Sequence, residues 1–293
     1  MKKLSLVFLS TLLISLASFG QEASEFEDDG FNHQSTKPVH ESDIMYKKTL
    51  LRALDLREKQ NLPIFSRQKE ISKILFEAAK EGLITIYSSD SLDLGRKMTI
   101  SDFLKRLELP GTGCDEEFGG GEEESFEDDS YEDEFAMDEG EDEFADAGGC
   151  TPEYFFPQDI YQMQIKEDYI FDKQRSVMYY DIIAFNFMLP ADHPDNLKGI
   201  ESHIASFSYK ECVEKLFTTH PDAIWYNPYN DREHKNLRDA FELRLFSSYI
   251  IKVSNPTDEY IVDIYGGDLR VGIMASQWKS FELMEYEHNL WEF

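Results

Sequence analysis

Basic residues are scarce in this chain. Across 293 residues, 29 Lys and Arg stand against 58 Asp and Glu, a formal charge of −29. That balance excludes a general nucleic-acid binder, which needs cations to displace counterions from phosphate. It also disfavours anionic membrane surfaces. Cysteine is nearly absent, with 3 residues, and no pair of close cysteine motifs is available for zinc. Long apolar runs are missing after the first residues, so no later segment is expected to span a bilayer as a helix. HExxH, GxSxG and GxxxxGK[ST] are all absent. The histidines at 33, 40, 193, 203, 220, 234 and 288 show no metal-ligand spacing. No catalytic residue, metal site or cofactor is therefore expected.

What is present suits a folded, aromatic-rich protein. The hydrophobic fraction is 41%, with 22 Phe, 15 Tyr and 3 Trp, which argues against global disorder. Residues 1–20 read as a signal peptide: Lys2 and Lys3, an apolar stretch from Leu4 to Leu16, then Ser18-Phe19-Gly20 as a small-x-small cleavage pattern. Residues 21–40 form a polar leader. The terminal Phe293 raises an outer-membrane barrel, but counting back in twos gives Trp291, Asn289, Glu287 and Glu285, and the alternation fails.

Helical patterning is expected from Asp43 to about Asn61, then at Ile71, Ile74, Leu75 and Ala78 with Gly82 as the stop. Leu83–Tyr87 reads as a strand, and Thr99 with Asp102 as a capping box for a third helix. Val177–Leu189 reads as a long strand ending at Pro190. Ser208 with Glu211 is a second capping box, 224–226 a short strand and 236–246 a helix. Tyr249–Val253 and Tyr260–Tyr265 look like a hairpin, with Met274, Trp278 and Phe281 in a long last helix. Two helix–strand–helix stretches thus echo each other weakly. The expected fold is α+β, with two related lobes (41–113 and 151–293) separated by an insert at 114–150.

That insert is extreme. Residues 115–146 hold 18 acids and no base, and 58 minus 18 leaves 40 acids against 29 bases elsewhere. The pentapeptide EDEFA occurs at 132–136 and again at 141–145. Repelling charges with few apolar residues predict a disordered loop. It reads as a solvated spacer, a calcium-capturing tract or a contact for a basic partner, and the EF-hand ligand order is absent. Cys114 and Cys150 flank it, and an oxidising compartment would let them bridge and pinch the loop at its base. The alternative is two exposed thiols. Cys212 with His220 and Asp222 is a conceivable nucleophile, base and orienter, but Cys212 lies on an apolar helical stripe and reads as a small core residue.

The segment Lys166, Glu167, Asp168, Tyr169, Ile170, Phe171, Asp172, Lys173, Gln174, Arg175 interleaves both signs of charge with large apolar groups. Such density forms a salt-bridged turn or an interface, and interface is the preferred reading. Trp291 and Phe293 are the other expected partner contacts, unless they pin the last helix to its own core.

Five blocks carry a family resemblance: Glu41–Met45, LDLREKQNLP at 54–63, IKEDYIFDKQRSVM at 165–178, RLFSSYIIKVSN at 244–255 and HNLWEF at 288–293. They resemble the gliding-motility family GldN and its counterpart in non-gliding relatives, PorN. The acidic tract is the main departure. The resemblance implies a non-enzymatic periplasmic component of the type IX secretion system of Bacteroidota. It implies self-association in a ring at the inner face of the outer membrane, with a GldK- or PorK-like lipoprotein. The motor proteins GldL and GldM would lie below, GldM reaching up as a shaft. The alternative class is an exported acidic protein that binds calcium or a basic partner.

A disulfide between Cys114 and Cys150 is the expected pairing. Loop closure over this span contributes on the order of 2–4 kcal/mol in the chain-entropy model. Non-reducing peptide mapping should recover the bridged peptide pair, and alkylation of both thiols without reductant would exclude it.

Overall fold

The computed structural model describes residues 29–110, 152–196 and 198–290. The signal segment, the acidic tract with Cys114 and Cys150, and Trp291 and Phe293 lie outside the described residues. The strands are β1 (Ile44–Asp55), β2 (Phe65–Ser66), β3 (Lys69–Glu70), β4 (Ile86–Tyr87), β5 (Gln162–Asp172), β6 (Val177–Leu189), β7 (Ser202–Ser208), β8 (Ile224–Trp225), β9 (Lys235–Asn236) and β10 (Tyr249–Val253). The α-helices are α1 (Ile71–Lys80), α2 (Ile100–Leu107), α3 (Tyr209–Cys212), α4 (Leu237–Glu242), α5 (Ile261–Ile264) and α6 (Leu269–Asn289). A π-helical turn, Val213–Phe217, continues α3.

Six strands form one open antiparallel sheet in the order β10-β1-β5-β6-β7-β4. The fold is α+β, as expected. The helix–strand–helix order recurs as α1-β4-α2 and α3-β8-α4. The two stretches differ in their pairing: β4 caps the edge of this sheet beyond β7, whereas β8 pairs only with β9 in a separate two-stranded ribbon; β1 lies between β5 and β10.

The expected helix from Asp43 to Asn61 is a strand instead. Leu50 and Leu54 are four residues apart, which suits either period. The burial of Leu50, Arg52 and Leu54 in alternation shows a period of two. Pairing along both edges, with β5 and β10, outweighs the local helix preference. The same pairing removes the expected hairpin at 249–265. Val253 and Tyr249 face Leu50 and Ala53 of β1, and Ile261–Ile264 coils into α5.

Two local signals, at Gly82 and Thr99, operate as read, while the strand expected at Leu83–Tyr87 is confined to Ile86–Tyr87. Gly82, at φ +73°, ends α1 in a Schellman motif, with Leu83 N–H donating to the Ala78 carbonyl at 2.9 Å and Gly82 N–H to Ala79 at 3.1 Å. The Thr99 hydroxyl accepts from Asp102 N–H at 3.2 Å, capping α2. Ser208 makes no such cap bond. Glu211 reaches away, accepting from Thr85 N–H at 3.0 Å and Lys215 Nζ at 2.5 Å, and so fastens α3 to the chain entering β4.

The main core is aromatic. Phe76 meets Phe103 and Phe187 at centroid distances of 5.5 and 5.3 Å, and Phe241 meets Phe185 at 4.8 Å. A smaller cluster, with Leu50, Tyr169, Ile250, Ile261 and Leu283, lies between the sheet and α5 and α6.

Between these layers sits a charged triad. Glu167 on β5 is fully buried, bonded by Arg52 Nε of β1 and by Arg244 Nη1 at 2.8 Å. Both guanidinium groups also sit over the Tyr180 ring, 5.2 and 4.3 Å from its centroid. Arg244 itself occupies the left-handed position after α4 at φ +54°, within a Schellman motif where glycine is the favoured residue. Removing Glu167 leaves a buried cation, Arg52, and a half-buried one, Arg244, without their counter-ion. Glu167→Ala should cost about 3–5 kcal/mol in chemical denaturation. A loss below about 1 kcal/mol, the range of an exposed pair, would show that the triad holds nothing together.

Candidate docking surface

Helix α6 covers the smaller cluster. Asp268 caps it, its side chain accepting from Arg270 N–H at 2.9 Å. At 1.5 Å per residue its 21 residues span about 31 Å. One face is buried and made mostly of small residues: Gly272, Ala275, Ser276 and Leu283. Small side chains let α6 approach α5 closely. A Cβ placed on Gly272 would lie 2.6 Å from Val262 Cγ2 and 3.3 Å from its Cα.

The opposite face is apolar as well. At 100° per residue Val271, Met274, Trp278, Phe281 and Met284 fall in one stripe, and all five are exposed, Met274 by 70% and Trp278 by 67%. Leu269, Ile273, Ile264 and Tyr265 add exposed apolar surface nearby. A helix apolar all round is ordinarily buried all round, and contiguous apolar patches mark interaction sites. The sequence reading placed Met274, Trp278 and Phe281 in the last helix but missed that they face outward. The legible signal was the division into small residues on one side and large ones on the other.

The expected contact segment 166–175 lies elsewhere, and most of it is not surface. It forms β5 and the turn after it, flanked on both edges. Glu167 belongs to the triad. Asp168 is buried, accepting from the Thr49 hydroxyl at 2.7 Å and paired with Lys47 at 2.7 Å. Tyr169 is buried, and its hydroxyl donates to Glu287 of α6 at 3.1 Å. Burial, Tyr180 and Glu287 raise that phenol's pKa, so it stays a donor. Asp172 is buried and accepts from the N–H groups of Gln174 and Arg175, shaping the turn. The interface reading is therefore corrected for these four residues, because paired charges inside the sheet satisfy one another. Phe171 is half-buried against the smaller cluster, and Lys166 is half-buried and paired with Asp90 at 3.4 Å. Lys173, Gln174 and Arg175 are exposed, at the turn.

Other chemistry is sparse. Among the described residues no group of His, Cys, Asp and Glu is placed to hold a metal ion. Cys212 is a buried free thiol whose pKa is raised by burial, the opposite of what a nucleophile needs. No described helix is long and apolar enough to cross a membrane.

These features define an α+β protein with an exposed apolar face on its last helix. The profile of the family described as Gliding motility associated protein GldN matches residues 39–292, and the chain belongs to that family. No curated protein matches the chain.

The close packing of α6 on α5 predicts that Gly272→Ala destabilises the protein by roughly 1–3 kcal/mol, the range for overpacking a tight contact. Hydrogen exchange should then rise along α6. Unchanged protection there would mean that the contact relaxes freely.

Proposed function

We propose that this member of the GldN family is a structural, non-enzymatic subunit of the gliding-motility and type IX secretion machinery. It acts in the periplasm at the inner face of the outer membrane. Its partners are a GldK- or PorK-like lipoprotein, further copies of itself in a ring, and a GldM-like shaft from the motor below. One observation carries the reading: in a chain belonging to a gliding-motility family, five large apolar side chains of α6 lie uncovered. Burying such a stripe against a partner supplies association energy without any chemical step. Family membership supports the machinery, and the stripe supports a subunit role within it.

Replacing Met274, Trp278 and Phe281 together by Ser tests this. These side chains make few internal contacts, so each change should move stability by only about 0.5 kcal/mol. Loss of central aromatic anchors should weaken assembly by about 2 kcal/mol or more, roughly thirtyfold. The measurement is recovery of the lipoprotein and of tagged second copies with the variant from outer-membrane fractions. A folded variant recovered with both at the parent level would overturn the reading.

A further inference from the structure

Strand β6 is longer than its neighbour. β7 pairs with it only from Ala184 to Leu189, so the outer edge of residues 177–183 has no strand partner among the described residues. Along that edge lies a cavity of about 490 Å³, lined by Tyr179 and Asp181 of the strand, Thr36 and Lys37 of the leader, and Tyr209 and Arg244. A strand edge without a strand partner accepts an added strand, main-chain bonds giving affinity and side-chain pockets giving selectivity; here it is exposed at Val177 and covered from Asp181 to Ile183, so a segment enters from Val177.

The cavity also holds unpaired polar atoms. Among the described residues Tyr179 Oη, Asp181 Oδ2 and Tyr209 Oη are buried without a hydrogen-bond partner. Asp181 is only 3% exposed and Tyr209 only 2%. The cations around them are already committed. Lys37 pairs with Glu242 at 3.1 Å, Arg175 with Asp172 at 3.6 Å and Arg244 with Glu167 at 2.8 Å. The Asp181 oxygen therefore lacks a cation or hydrogen-bond donor, and each phenol oxygen beside it can accept a bond as well as donate one. Tyr179 and Asp181, two apart on the strand, share a face. Burial raises the pKa of both phenols, with Asp181 adding to it at Tyr179 and Glu242 ahead of Asp181 at Tyr209. A buried carboxylate with a free oxygen destabilises the unliganded fold. Burial pushes the Asp181 carboxyl up to about 6 against the pull of the Ser35 hydroxyl.

We propose that this groove takes a lysine side chain from an extended segment of a protein partner. The segment adds along the 177–183 edge, and its ammonium, with three N–H donors and one charge, bonds Asp181, Tyr179 and Tyr209. The site shares no residue with the α6 stripe and does not rest on the docking reading above.

The test uses the full chain and two fluorescent five-residue peptides of β-branched residues, one with a central lysine and one with norleucine. The lysine peptide should bind saturably and protect amides of residues 177–183 from hydrogen exchange. The norleucine peptide should bind at least about tenfold more weakly, the scale of a lost charge-assisted bond. Asp181→Asn should lose the preference for lysine while melting no lower than the parent, since the buried charge is gone. Tyr209→Phe should weaken the lysine peptide alone. Equal affinity for both peptides would overturn the proposal. So would the absence of saturable binding by either, which would leave ordered water as the groove's occupant.

Discussion

A carboxylate that cannot reach water constrains much of this molecule. Glu167 is fully buried on β5, one of the two central strands of the sheet. Desolvating one charge costs several kcal/mol unless opposite charges meet it with good geometry. Two arginines do so, one from β1 and one from the turn after α4, and Tyr180 of β6 underlies both. Three sheet strands and one helix end are therefore bound to a single position. Arg244 shows how strong the demand is. Its backbone sits in the left-handed region, at a cost of about 1–3 kcal/mol for a residue with a side chain. Gly82 fills the matching position after α1 without that cost. The difference is that nothing after α1 has to neutralise a buried acid.

The two clusters are unequally furnished. The main cluster interlocks eight or more rings across α1 to α4 and the sheet. The smaller one rests on few large groups, and α6 contributes only Gly272, Ala275, Ser276 and Leu283 to full burial. Such a helix gains as much by covering its outer face as by keeping its inner one. Elements with few buried contacts open at lower free energy than the global fold, and binding at the outer face stabilises the state in which the helix is docked.

Much of the local structure was legible in the sequence, because its causes are local. Gly82 stops a helix and Thr99 starts one through bonds spanning a few residues. Val177–Leu189 is β-branched and aromatic, and it is a strand with those bounds. The failures have distant causes. Ile44–Asp55 carried a leucine pair that fits helix and strand alike, and partners beginning more than a hundred residues later decided between them. The charged run at 166–175 looked like surface because the groups that neutralise it, Lys47, Thr49, Arg52 and Arg244, are nowhere near it in sequence. The α6 stripe was hidden for a third reason. Apolar residues on both faces cancel the one-sided pattern by which an interface helix is ordinarily recognised.

The strand order has a consequence for how the protein comes into being. β1, the first long element made, sits between β5 and β10, the last strand made. A chain emerging from its N-terminus leaves β1 with two bare edges until residues near 162 arrive, and with one until residues near 250 arrive. Glu167 likewise lacks its second cation until Arg244 has been made. Loop-closure entropy must be met before such distant pairings stabilise anything, so topologies of this kind fold slowly. The nascent chain is therefore a long-lived unfolded one, whose acquisition of structure waits on its final fifth.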